Sequence, residues 1–185
     1  DLARAELGRG RSEAAVAAYM RGIDATQSAP LLVLQLASLL ERVGRVDDAA
    51  VLYEAWLRRE PGSELASNNL AMLLLTHKSA DPAALERALA LARRLESSTQ
   101  PEFLDTLGWV HYARGEYAPA VEILQRAVAT APDTAVFRAH LGLAQFHAGA
   151  RNEAKENLQR ALATSANYPE AAEARAVLAR IKRGK

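Results

Sequence analysis

The chain has 185 residues, 50% of them hydrophobic and 24% charged, with a formal net charge of +1 and no cysteine. That near-neutral balance gives no field of the kind that binds nucleic acid or an anionic membrane, and the missing thiols exclude disulfides and thiolate metal sites. No apolar run reaches the length that spans a bilayer.

Asp1-Leu2-Ala3 is already in helical rhythm and no Met precedes it, so the chain is expected to be an excerpt of a longer protein, and the lack of a targeting signal says nothing of the parent. Residues 1–29 read as a truncated helical hairpin, with Gly10 at its turn and Ala15 and Tyr19 on its second helix. Residues 30–63 form a full hairpin through Leu36, Ala37, Gly44, Ala49, Tyr53, Trp56 and Pro61. Residues 64–100 form another, with an insertion, Ser79 to Ala83, between the helices; Asp81-Pro82 within it is read as a helix start. Residues 101–134 and 135–168 follow. Gly108 matches Gly142, Gly115 matches Gly149 and Ala120 matches Ala154, each 34 residues apart, which is the spacing of a helix–turn–helix repeat. A closing helix is expected over 169–183, with Pro169 at its first position and a basic end at Arg180, Lys182, Arg183 and Lys185.

Steric reasoning sharpens the register. Where two helices cross closely, only Ala or Gly fits, and position 8 of the repeat reads Ala3, Ala37, Ala71, Gly108 and Gly142. Position 20 reads Ala15, Ala49, Ala88, Ala120 and Ala154. Larger residues flank the crossings, Leu36, Leu70, Leu107 and Leu141 on the first helices and Tyr19, Tyr53, Leu124 and Leu158 on the second. Helices this short are marginal alone, so each hairpin needs its neighbours.

These residues resemble the tetratricopeptide repeat (TPR) family along essentially the whole chain. The resemblance implies an all-α, right-handed solenoid with a C-terminal closing helix. Departures are the absent Trp at position 4, and Gly22 and Trp56 at position 27. A narrower resemblance rests on Asn68-Asn69-Leu70-Ala71, on Asp105-Thr106-Leu107-Gly108-Trp109, and on the final run from Tyr168 to Leu178. It is to TPR proteins of bacterial exopolysaccharide export and PEP-CTERM exosortase clusters, and it implies a periplasmic or outer-membrane-associated protein; a cytosolic setting fits the absence of cysteine equally.

No catalytic motif stands out, and no enzyme activity, metal or cofactor is expected. His140 and His147 are too far apart on one helix for joint ligation, and His111 reads as a hydrogen-bonded core residue. Asp47-Asp48 and Glu116 read as dipole-favourable capping at second-helix starts. Function is therefore expected on the surface that TPR proteins turn inward. The resemblance places Gln35, Asn68, Asn69, Met72, Asp105, Thr106, Trp109, Tyr112, His140, Leu143 and Phe146 in that concave groove. Among them Gln35, Asn69, Thr106 and His140 form a polar row able to bond an extended ligand's backbone, and Met72, Trp109, Tyr112 and Phe146 an aromatic and thioether patch. The chaperone-tail clamp is not expected, because Glu102 and Thr106 stand where it has cations. The expected function is a non-catalytic protein-interaction scaffold in exopolysaccharide export or envelope assembly, taking a protein partner or extended peptide in the groove. The alternatives are polysaccharide bound directly by the aromatic patch, or a non-catalytic arm of a larger enzyme.

Overall fold

A computed structural model describes residues 2–26 and 30–183. Asp1 and Lys185, named above in the first repeat and the basic tail, and the 1–29 boundary lie outside the described residues. The helices are α1 (Leu2–Gly8), α2 (Ser12–Ala25), α3 (Pro30–Arg42), α4 (Val46–Arg59), α5 (Glu64–Lys78), α6 (Pro82–Ala92), α7 (Pro101–Ala113), α8 (Tyr117–Thr130), α9 (Ala135–His147), α10 (Arg151–Thr164) and α11 (Ala171–Lys182). A 3-10 turn, Arg93–Leu95, extends α6.

Four of the hairpin turns are closed by a glycine in the left-handed region: Gly10, Gly44, Gly115 and Gly149, with φ between 72° and 89°. Each is followed by a residue whose N–H reaches five residues back, as in Arg45 N to Leu40 O at 2.8 Å and Glu116 N to His111 O at 2.9 Å. This is the Schellman closure, in which glycine alone meets no Cβ penalty. The α5–α6 hairpin has no such glycine. Its insertion ends instead at Asp81, whose carboxylate accepts from Ala83 N at 2.9 Å ahead of Pro82, so the second helix is restarted by a cap.

The hairpins stack into an all-α solenoid. Each second helix packs on the first helix of the next hairpin, α2 on α3 through α10 on α11, and from α5 onward the first helices also touch one another. The small residues sit at the crossings: Ala15, Ala37, Ala49, Ala71, Ala88, Ala120 and Ala154 are completely buried. A Cβ placed on Gly108 would lie 2.5 Å from Leu124 Cγ, and one on Gly142 2.7 Å from Leu158 Cγ. Leucine at position 24 therefore accompanies glycine at position 8, whereas the second hairpin has Ala37 at position 8 and Tyr53 at position 24, both buried.

Several local expectations change. Pro169 is not the first residue of the closing helix. It lies in a turn closed by Ala171 N to Tyr168 O at 3.1 Å, and α11 begins two residues later with Glu170 as its N-cap. Proline suits the second position of such a turn, and the later start directs Glu170 inward. Asp47, Asp48 and Glu116 make no capping hydrogen bond. Asp48 accepts from Arg45 Nε at 2.6 Å and Asp47 from Lys78, while Glu116 binds His111 and Arg114. The two aspartates favour the positive end of α4 through its dipole, as expected of acids in a first turn. The unusual residues at position 27 also find a reason. Trp56 is buried with Nε1 donating to Glu60 Oε2 at 3.1 Å, and Gly22 makes room for Leu32 Cδ1, 3.2 Å from where its Cβ would be.

Candidate functional site

Helices α5, α7 and α9, with the turn before α11, enclose a cavity of about 370 Å³ on the inner face of the solenoid. Its wall is made by Met72, Leu75 and Thr76 of α5, Asp105 and Trp109 of α7, Val136 and His140 of α9, and Pro169-Glu170. The periodicity of the repeat produces this convergence. Positions 5 and 9 of one first helix face positions 2 and 6 of the next, so Asp105 and Trp109 meet Val136 and His140.

His140 is the centre of the polar part. It is 4% exposed, and its Nδ1–H is 2.9 Å from both Asp105 oxygens. Its Nε2 lies 3.5 Å from Glu170 Oε2, an ion-pair distance without hydrogen-bond geometry. Burial opposes a charge on the imidazole, but the two carboxylates outweigh it and push the pKa up to about 9. For Glu170, burial works against ionisation and the imidazolium works for it; the net shift is downward. An imidazolium held between two carboxylates thus ties α7, α9 and the start of α11 together.

Trp109 is half-buried and lies parallel to two rings, His140 at 3.9 Å and Tyr112 at 4.3 Å between centroids. Two parallel rings at such distances on one face would overlap, so they cover opposite faces of the indole. Tyr112 continues across the inner surface, its hydroxyl donating to Glu173 Oε1 at 3.0 Å; burial first, then Glu173, raises its pKa. Phe146 carries the Arg180 guanidinium 4.9 Å above its ring.

The structure redistributes the expected groove. Met72, Asp105, Trp109 and His140 come together around the cavity. Leu143 is completely buried, Phe146 and Thr106 are nearly so, and none of the three lines the cavity. For Leu143 and Phe146 the reason is packing, because α9 is in contact with α7, α8, α10 and α11. The polar row is also engaged internally: Thr106 Oγ1 donates to Glu102 O at 3.1 Å and Asn69 Nδ2 to Leu65 O at 2.7 Å. Asn69 and Thr106 make helix back-bonds and His140 an ion pair, so of the row only Gln35 stays without such a partner among the described residues. Gln35 and Asn68 remain partly exposed toward the amino-terminal half of the groove, beside exposed Leu31 and Leu65. His111, at 2.6 Å from Glu116 Oε2, is a buried, hydrogen-bonded residue in the last turn of α7.

Sequence reasoning did not single out Glu170 and Glu173 as site residues. Carrying the repeat numbering through Pro169 places them at positions 2 and 5 of a sixth first helix, both groove positions. Among the described residues no group of three or more His, Asp or Glu is arranged to hold a metal ion. Among them, too, no helix is long and apolar enough to cross a membrane.

Family profiles described as tetratricopeptide repeat match residues 30–73 and 106–154, together just over half of the 185 residues. No curated protein matches. Among solved structures, the chain is similar to TTC0263, a thermophilic TPR protein of Thermus thermophilus, with a TM-score of 0.69 at 22% identity, covering 96% of this chain and 94% of that one. It is also similar to MamA from Desulfovibrio magneticus RS-1, with a TM-score of 0.70 at 19% identity and coverage of 88% and 90%. YrrB, described as a TPR protein with an unusual peptide-binding site, gives 0.66 at 18% identity, with coverage of 94% and 88%. At these identities the likeness speaks for the fold.

Proposed function

Because this chain belongs to the tetratricopeptide repeat family, whose members typically mediate protein–protein interaction, we propose that it is a non-catalytic scaffold whose inner face takes an extended segment of a partner protein. The observation that carries the reading is the cavity between α5, α7 and α9, with Trp109 on its wall. Its 370 Å³ lies at the small end of ligand pockets, the size for a side chain rather than a folded domain. The peptide-binding site in the description of YrrB supports an extended segment as the kind of ligand.

The wider role is in bacterial exopolysaccharide export or envelope assembly, in the periplasm or at the outer membrane. It is supported by the runs Asn68–Ala71, Asp105–Trp109 and Tyr168–Leu178, which are similar to those of TPR proteins in such clusters. The polysaccharide alternative needs an open aromatic face, and Trp109 has both faces covered.

The test uses the two tryptophans, since Trp56 is buried on the outer layer and Trp109 lines the cavity. Emission is followed for wild type, Trp109→Phe and Trp56→Phe while exopolysaccharide fragments, then envelope extracts, are added. A saturable response to a protein fraction, kept in Trp56→Phe and lost in Trp109→Phe, is expected. A saturable response to sugar alone, lost in Trp109→Phe, would replace the scaffold by a glycan-binding groove.

A further inference from the structure

The cavity is not neutral in character. Its apolar wall, Met72, Leu75, Val136 and Pro169 with the edge of Trp109, leads to Asp105, His140 and Glu170. Two carboxylates against one imidazolium leave a formal charge of −1 in the lining. The surroundings add to it: Glu102 precedes Asp105 by three residues on α7, and Glu173 follows Glu170 by three at the start of α11, each on its partner's helical face. Among the described residues, no Lys or Arg lines the cavity.

Two buried polar atoms at this end also lack a hydrogen bond, His140 Nε2 and Glu170 Oε2. The imidazole that carries one of them is more than nine-tenths buried and is part of the cavity wall. The two atoms face each other at 3.5 Å as an ion pair without hydrogen-bond geometry, so the imidazolium compensates Glu170 only in part and a second charged donor adds to it.

From this charge complementarity we propose, building on the scaffold reading above, that the cavity is an anchor site for a lysine or arginine side chain of an extended basic peptide. The aliphatic stem of such a residue lies along Met72, Leu75 and Val136, and its cationic head faces the Glu170 and Asp105 end. Exposed Leu31 and Leu65, further along the inner face, suit apolar residues elsewhere in the same segment. An acidic peptide meets the same wall with the wrong sign. This is opposite to a clamp for a terminal carboxylate, and it follows from Glu170 entering from the turn before α11.

Three dye-labelled twelve-residue peptides, capped at both ends and built of leucine and serine around one central residue, Arg, Gln or Glu, are the probes. Binding is read by fluorescence anisotropy against the whole chain at low and high salt. The Arg peptide is expected to bind about tenfold tighter than the Gln peptide, as one charge-assisted contact gives. The Glu peptide is expected to be weakest, and the preference is expected to shrink in salt. Glu170→Gln should erase most of the Arg preference. Because Glu170 also steadies His140, a second variant, Val136→Lys, places a cation in the cavity while leaving that cluster intact; it should reject the Arg peptide and spare the Glu peptide. Circular dichroism confirms that each variant is folded. Equal binding of all three peptides, lost in Trp109→Phe, would overturn the basic anchor and leave the groove reading standing. Binding of none would overturn the anchor, and the groove reading would then rest on the extract titration above.

Discussion

Gly108 shows how one missing carbon sets a helix crossing. A Cβ there would come within 2.5 Å of Leu124 Cγ and 2.9 Å of Leu124 Cδ2, and Leu124 is itself fully buried. Helix propensity alone favours alanine over glycine by about 1 kcal/mol. Overpacking a tight core costs roughly 1–3 kcal/mol, and the atom struck is the branch point of Leu124 rather than a free end. The clash should therefore win, and Gly108→Ala is expected to lower the melting temperature by a few degrees. Adding Leu124→Ala should give a double variant that loses less than the two single losses combined, since each change relieves the other. Additive losses would mean that the two side chains do not share the crossing. This pairing was only half legible in the sequence. The small residues at positions 8 and 20 could be read from spacing, because a 34-residue period repeats them. The matching of glycine with Leu124 and Leu158, against alanine with Tyr53, needed the inter-helix distance.

At the scale of the element, α11 is the instructive case. It was legible as a helix from the sequence, but Pro169 suggested an earlier start than the real one. The two-residue delay matters, since it makes Glu170 an N-cap whose side chain turns inward to His140. No local pattern could reveal that, because the contact joins residues 30 apart whose meeting depends on how α9 and α11 pack. For the same reason the expected polar row dissolved: Thr106 and Asn69 found backbone carbonyls on their own helices, while His140 found carboxylates on two others. The His140 tie predicts a pH dependence. The folded pKa of about 9 lies above the ordinary value of 6.5, so the stabilising effect is fully present below pH 6.5 and is lost as pH rises through 9. The shift corresponds to about 3 kcal/mol. Urea unfolding between pH 6 and pH 9.5 is expected to show that loss, and His140→Gln should flatten it. Tyr53 and Tyr112 do not confuse the window, since burial raises Tyr53 to about 12 and shifts Tyr112 upward too. A profile equally steep in His140→Gln would assign the loss to other groups.

The whole molecule is a stack without a single centre, and its stability should vary along its length. Each hairpin between α3 and α10 has a neighbour on both sides, whereas α1, only seven residues long, packs on α2 and on no other helix among the described residues. Leu2 and Met20 remain 57% and 51% exposed. In the middle, Leu104, Leu107, Val110, Leu124 and Ala127 are all buried; Trp109 bridges the central core to the cluster of Leu143, Leu158 and Val177, and Tyr112 joins that cluster to the one around Leu124. In a nearest-neighbour stack, opening costs little where one interface is lost and much where two are. Hydrogen exchange of the 185-residue polypeptide should therefore show early exchange over Leu2–Met20 and the strongest protection over Leu104–Val128. Because the cavity is built by α5, α7 and α9 on this protected side, peptide binding should slow exchange in those helices without restoring the amino-terminal hairpin. Equal protection at the two places would mean that the chain unfolds as one cooperative block, and the repeat-by-repeat account of its stability would have to be given up.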